Sequence, residues 1–357
     1  MIPVTKTFIP DFDEYTHLLR RVWESGWLTN NGQLVVELEQ QLREYLGVKH
    51  LFLVSNGTVA LQLAIKALGL RGEIITTPFS YVATTASIVW EGCTPVFVDI
   101  DANTLCLNAD LVEQAITPAT RAILATHVYG GPCAVDELAR LGRKHNIKII
   151  YDAAHAFGVR HQGQPLLRYG DVSAVSFHAT KLFHTGEGGA VVTNDDEVAA
   201  TLGYLRNFGH ADEYRYHGLG INAKNSELHA AMGLCVLPQV ARLMAQRRLL
   251  SERYDTWLLP QGIGRPVLAP GTEYNYAYYA IVLASEAQLL AVIAALAARD
   301  VFPRRYFYPA LSELPYVRAG HLPCVAELSR RVLCLPLYHD LALADVDSIA
   351  GLIIEHL

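Results

Sequence analysis

Lys148-Ile149-Ile150-Tyr151-Asp152-Ala153-Ala154-His155 is a short apolar run that stops on a carboxylate and gives way to small residues. Such a run reads as a buried strand with Asp152 at its carboxyl end. Similar runs recur on both sides of it, at Leu51 to Val54, Glu73 to Thr77, Val96 to Asp99, Ala122 to Thr126, Val172 to Phe177 and Ala190 to Thr193. Amphipathic stretches fit helices between them, at Val59 to Leu68, around Ala83 to Trp90, at Ala109 to Ala115 and at Val135 to Lys144. Strands alternating with helices predict an α/β fold with a mostly parallel central sheet.

Beyond about Ser226 the pattern changes. Glu227 to Leu237 and Gln239 to Leu258 read as long helical segments interrupted by Pro238. Pro260, Gly262, Gly264, Pro266 and Pro270 then punctuate the chain, and helices are expected near Ala287 to Arg299 and Asp345 to His356. The expected division is a large α/β domain over residues 1–240 and a small α+β domain over residues 241–357.

The chain has 357 residues, 51% of them hydrophobic, with a formal net charge of -6. No basic run is longer than pairs such as Arg304-Arg305 and Arg330-Arg331, which argues against a nucleic-acid-binding surface. The six cysteines are scattered without a C-x-x-C pair, as expected of thiols in a reducing compartment. The N-terminus lacks an apolar signal core, and no uninterrupted apolar stretch reaches the roughly 20 residues of a membrane helix. A cytoplasmic protein that engages no membrane is therefore expected.

In an open parallel sheet, ligands bind beyond the carboxyl ends of the strands. Four segments carry polar chemistry to such ends: Ser55-Asn56-Gly57-Thr58, Pro78-Phe79-Ser80-Tyr81, Asp152, and Ser176-Phe177-His178-Ala179-Thr180-Lys181. Gly57-Thr58 sits where a strand turns into a helix, a place suited to a phosphate and equally to a plain N-cap. A strand-end Asp152 facing a pyridine nitrogen would keep it protonated, although such an Asp also serves as a helix cap. Tyr81 is placed to stack on a ring, or to join the core. Lys181, among small, polar and aromatic neighbours, can lose its proton when desolvated and form an imine with an aldehyde. Together these residues point to pyridoxal phosphate as the cofactor, bonded to Lys181.

Two other readings fail on context. Gly218-Leu219-Gly220-Ile221-Asn222-Ala223 matches a dinucleotide-binding pattern, but the residues before it form no buried strand. His127, His155, His178 and His184 lie on separate segments without metal-ligand spacing, so no metal is expected.

Ser55-Asn56-Gly57-Thr58, Thr77-Pro78-Phe79-Ser80-Tyr81, Asp152-Ala153-Ala154-His155-Ala156 and Ser176 to Lys181 resemble the motifs of the DegT/DnrJ-type sugar nucleotide aminotransferases. Glu187-Gly188-Gly189-Ala190 and Gly220 to Glu227 continue the resemblance, in order, along nearly the whole chain. It implies a fold-type I pyridoxal phosphate transferase that works as a homodimer with shared active sites. By position, Lys181 and Asp152 would be catalytic, with Lys181 bonded to the cofactor and Asp152 paired with its ring nitrogen. Tyr81 would stack on the ring, His155 would lie near its phenolic oxygen, and Gly57, Thr58 and Ser176 would hold the phosphate. Asn222 or Lys224 would reach the partner subunit's cofactor phosphate. His184, Arg304, Tyr306 and Tyr308 are the candidate substrate contacts.

The resemblance further implies amino transfer from L-glutamate, through the pyridoxamine form of the cofactor, to a nucleotide-linked keto-deoxyhexose. Trp23 to Gly32 and Asn225 to Ala230 resemble members that aminate C4 of dTDP-4-keto-6-deoxy-D-glucose, for deoxyaminosugar or surface polysaccharide biosynthesis. Amination at C3, or a regulatory protein that binds the cofactor without turnover, are the alternatives.

Overall fold

The computed structural model describes residues Met1–Leu357. Seven strands form the central sheet: β1 His50–Val54, β2 Glu73–Thr76, β3 Thr94–Phe97, β4 Thr120–Thr126, β5 Lys148–Asp152, β6 Val172–Ser176 and β7 Gly189–Thr193. Their order is β1-β7-β6-β5-β4-β2-β3, with β7 antiparallel to both its neighbours and every other pairing parallel. The mostly parallel α/β fold expected from the strand runs is present. Because only β7 is reversed, the carboxyl ends of β1, β2, β4, β5 and β6 share one edge.

Helices cover both faces. In chain order they are α1 Phe12–Ser25, α2 Gln33–Leu46, α3 Gly57–Ala67, α4 Val82–Trp90, α5 Ala109–Ala115, α6 Val135–His145, α7 Asp196–Leu205, α8 Glu227–Val236 and α9 Val240–Leu258. The pleat of each strand sends alternate side chains to opposite layers. Ile74, Ala122, Leu124 and Ile150 pack with α3, α4 and α7. Ile75, Ile123, Ala125, Ile149 and Tyr151 pack with α2, α6 and α8. Both faces are apolar, which is why these strands read as continuous hydrophobic runs.

Further along, β8 Tyr279–Val282 pairs antiparallel with β9 Val332–Leu335. α10 Glu286–Ala297 and α12 Leu343–Ile354 pack on this ribbon with α9 around Tyr279, Ile281, Leu289, Leu333 and Ile349, while the short α11 Pro323–Leu328 packs on the larger core. The ribbon, with four residues in each strand, has no counterpart in the strand runs read from sequence.

Pro238 does not break the chain as expected. A 3₁₀ turn at Leu237–Gln239 carries α8 into α9, with proline in its first turn, where a missing N–H removes no hydrogen bond. The resulting run Glu227–Gln261 is 35 residues long and, by length and composition only, apolar enough to cross a membrane, although polar and charged residues such as His229 and Arg242 interrupt it. Half of its most apolar window is buried inside the fold, and Ala230, Leu234 and Leu243 belong to the core, so it is a core helix here.

α1 and α2 are also absent from the strand-centred reading. Glu227, buried at the start of α8, accepts from Leu34 N at 2.8 Å and Val35 N at 3.0 Å and so caps the N-terminus of α2. A Cβ at Gly32 would lie 2.5 Å from Glu227 Cδ, so any larger residue there would displace the cap.

Candidate active site

Strand alternation and register place the chemistry. Along β4, β5 and β6 the residues in phase with Leu124, Ile150 and Ala174 face α3 and α4. Thr126, Asp152 and Ser176 occupy the last such position on each strand, and Thr126 pairs directly with Asp152. Three neighbouring strands thus deliver a hydroxyl, a carboxylate and a hydroxyl to one corner. The segment after β6 brings Lys181 over the same corner.

The corner opens into a cavity of about 330 Å³. Gly57, Thr58, Tyr81, Asp152, His155, Ser176, Lys181 and Tyr306 line it, as do Ser80, His178, Glu187, Tyr278 and Phe307. Seven of the nine residues expected to hold the cofactor are therefore brought together. Asn222 and Lys224 are not. Asn222 is exposed and bridges Asn207, and Lys224 Nζ lies 4.6 Å from the centroid of the Phe208 ring.

Of the four substrate candidates only Tyr306 lines the cavity. His184 lies outside it, with both ring nitrogens engaged. Nδ1 accepts from Gly186 N at 3.2 Å, which leaves Nε2–H to donate to Phe8 O at 2.7 Å. Arg304 is exposed and pairs through its backbone with Cys334, outside the cavity. Tyr308 also lies outside, beneath the Arg305 guanidinium, 3.6 Å from ring centroid to Cζ. These three stand outside the cavity because a loop beside a cavity shares proximity without sharing direction.

Asp152 is 5% exposed. Its Oδ2 accepts from Thr84 Oγ1 at 2.6 Å and its Oδ1 from Ala154 N at 3.1 Å. Burial pushes its pKa up, while the Thr84 hydroxyl, the Ala154 N–H and the charge of Lys181 pull it down. Burial lowers the pKa of Lys181, against the opposing pull of Asp152. Lys181 Nζ also donates to Tyr278 Oη at 3.3 Å. His155 is held neutral, well below its usual pKa, by burial first and the charge of Lys181 second. Its Nδ1 accepts from Tyr129 N at 3.2 Å, so Nε2–H is the ring's remaining donor.

At the other side of the cavity, Asn56 caps α3 by accepting from Val59 N at 2.9 Å. The N–H groups of Gly57 and Thr58 have no acceptor within the chain and lie at the positive end of the helix dipole. Ser176 closes the cradle, and a Cβ at Gly57 would lie 3.0 Å from Ser176 Cβ, so only glycine fits there without displacement. Free N–H groups with two hydroxyls suit a phosphate, an amine whose pKa burial lowers suits an aldehyde, and a buried carboxylate suits a ring nitrogen. The exposed ring of Tyr81 stands at the cavity mouth. The residues present fit pyridoxal phosphate. No cluster of three His, Cys, Asp or Glu side chains stands within metal-ligating reach.

The sequence reading missed Thr84 and Tyr278. Thr84 had a partial signal: a hydroxyl residue about one turn after Tyr81, in Val82-Ala83-Thr84-Thr85-Ala86, although Thr85 and Ser87 share it. Tyr278 had none, since nothing local separates it from Tyr274, Tyr276 and Tyr279.

Comparison with known proteins places these residues in context. The sequence profile of the DegT/DnrJ/EryC1/StrS aminotransferase family matches residues 11–353. The chain is 40% identical over 347 residues to dTDP-4-amino-4,6-dideoxy-D-glucose transaminase of Shigella dysenteriae, covering 95% of this chain and 94% of that protein. It is 38% identical over 361 residues to the transaminase of the same name from Escherichia coli, covering 95% and 94%. Among solved structures, DesI in the presence of its TDP-sugar product superposes with a TM-score of 0.93 at 35% identity, over 99% of this chain and 92% of that one.

Proposed function

The chain belongs to the DegT/DnrJ/EryC1/StrS aminotransferase family, and on that premise we propose that it aminates C4 of dTDP-4-keto-6-deoxy-D-glucose with L-glutamate as amino donor. It is a pyridoxal phosphate-dependent sugar nucleotide aminotransferase. The choice of C4 and of a dTDP-linked sugar is supported by the 40% and 38% identity to the two transaminases named for that product. The observation that carries the reading of the site is the meeting of Lys181 and Asp152 in one cavity with the unpaired N–H groups of Gly57 and Thr58.

In this reading the Gly57 and Thr58 N–H groups and the Ser176 hydroxyl hold the cofactor phosphate, and Tyr81 covers the ring. Asp152 keeps the ring nitrogen protonated, and His155 Nε2–H donates to the phenolic oxygen. Bound there, pyridoxal phosphate supplies an electron sink and a carrier for the amino group. Lys181 Nζ would hold the cofactor's aldehyde carbon and, freed when the amine of the donor takes its place there, would move the proton that amino transfer requires. Its lowered pKa suits that work, because an amine must shed its proton before it can accept one. Tyr306 borders the space left for the sugar.

Phe12, Trp23, Trp27, Tyr214, Tyr216 and Leu219 are large apolar side chains left exposed on α1, beside it and in the 208–221 segment. Apolar surface of that kind supports a homodimer in which Asn222 or Lys224 reaches the partner's cofactor. Six unpaired cysteines, five of them buried, suit a cytoplasmic setting.

The test has two parts. Borohydride reduction of the yellow holoenzyme, followed by peptide mapping, is expected to place the label on Lys181, and a label elsewhere refutes the site. Incubation with dTDP-4-keto-6-deoxy-D-glucose and L-glutamate is expected to give the 4-amino sugar by mass and NMR. A 3-amino product, or no turnover with this acceptor, refutes the substrate.

A further inference from the structure

The carboxylate of Asp152 ends a run of buried hydroxyls. Thr126 Oγ1 lies 3.0 Å from Ser80 Oγ, Ser80 Oγ lies 2.7 Å from Thr84 Oγ1, and Thr84 Oγ1 lies 2.6 Å from Asp152 Oδ2. Thr126, Ser80 and Thr84 are at most 2% exposed. Each hydroxyl has one proton, and an ionised carboxylate can only accept. Thr84 must therefore donate to Asp152, Ser80 must donate to Thr84, and Thr126 must donate to Ser80. The chain has a single direction, fixed at its Asp152 end.

Such a chain does more than one hydrogen bond. Each donor is polarised by the one behind it, which strengthens the bond that reaches the carboxylate. Thr84 is held at two points: α4 fixes its backbone, and Ser80, in the loop between β2 and α4, fixes its hydroxyl. With Oδ2 engaged by Thr84 and Oδ1 by Ala154 N, the carboxylate cannot rotate without losing both.

We propose that Thr84 is a positioning residue for Asp152, oriented by the one-way hydroxyl chain Thr126–Ser80–Thr84, and that it aims the Asp152 carboxylate at the cofactor's ring nitrogen. The inference rests on the reading of Asp152 given above. Thr84 touches Asp152 and takes its effect through it, so its loss acts on the chemical steps rather than on substrate binding. The closeness of Thr126 and Asp152 follows from strand register, whereas the link through Ser80 and Thr84 is made by helix packing.

The test compares Thr84→Val, Thr84→Ser, Ser80→Ala and Asp152→Asn in the holoenzyme. Two readouts are taken: kcat and KM for both substrates, and the ¹⁵N NMR shift of ring-labelled pyridoxal phosphate bound to each variant. Thr84→Val keeps the shape and removes the donor. A roughly tenfold to hundredfold loss in kcat is expected, the range for losing a hydrogen bond to a charged group, with KM values little changed. The ¹⁵N signal should move toward that of neutral pyridine. Thr84→Ser should restore both readouts, and Ser80→Ala should fall between. Wild-type kcat and ¹⁵N shift in Thr84→Val, or Thr84→Ser as impaired as Thr84→Val, overturns the proposal. Should Thr84→Val fail to fold, Ser80→Ala decides, and an unmoved ¹⁵N signal there is the overturning result. Asp152→Asn separates the two levels. If it too leaves the ¹⁵N signal unmoved, the reading of Asp152 has failed. If it alone shifts the signal, only the role of Thr84 has failed.

Discussion

Replacing Asp152 with asparagine removes one negative charge and almost nothing else. Asparagine is nearly isosteric, its carbonyl can still accept from Ala154 N, and its amide can donate to the Thr84 hydroxyl in place of accepting. What disappears is the attraction between a carboxylate that is 5% exposed and a protonated ring nitrogen. Two unit charges about 4 Å apart interact by about 4 kcal/mol at an effective dielectric near 20. At about 1.4 kcal/mol per tenfold, that is roughly a thousandfold in rate. Stability should move the other way. Burial raises the Asp152 pKa in the cofactor-free chain, so its ionisation at neutral pH opposes folding. A group raised in this way destabilises above its unfolded pKa and ceases to do so below it. The apo Asp152→Asn variant should thus be at least as resistant to urea as wild type at pH 8, with the difference shrinking toward pH 4. The assay is a single-turnover reaction with L-glutamate followed by stopped-flow absorbance, paired with urea unfolding of both apoproteins. A glutamate rate within about tenfold of wild type refutes the charge argument. A rate loss accompanied by a large loss of apo stability would show instead that Asp152 serves as a structural cap.

Two further outcomes concern the scaffold. Glu227→Ala leaves the Leu34 and Val35 N–H groups buried without acceptors and should lower stability by about 2–3 kcal/mol in urea unfolding, with Glu227→Gln intermediate; an unchanged midpoint refutes the capping role. His127 is fully buried and its pKa is pushed down to about 3 by burial, so the unfolded chain binds its proton first as pH falls. Stability should accordingly drop between pH 6.5 and about 3, by about 1.4 kcal/mol per unit from this residue, and urea midpoints of His127→Gln at pH 7 and pH 5 should show a flatter slope; an identical slope refutes it.

Much of this protein is legible in its sequence because parallel strands are buried on both faces and leave continuous apolar runs. Those runs locate Asp152, Ser176 and the Gly57-Thr58 turn at strand ends, and the topology of parallel sheets gathers such ends on one edge. The helices α1 and α2 are harder to read, since their packing depends on distant partners such as Glu227. Pro238 reads as a break only because sequence does not reveal that it falls in a first turn. Which side chains meet is decided by tertiary structure. The pleat and register set Thr126, Asp152 and Ser176 on the same face, and the packing of α4 brings Thr84 to within 2.6 Å of the carboxylate. His184 illustrates the opposite case: three residues beyond Lys181, it turns away to bond Phe8. Strand ends are local properties of the chain. The direction of a side chain is a property of everything packed around it.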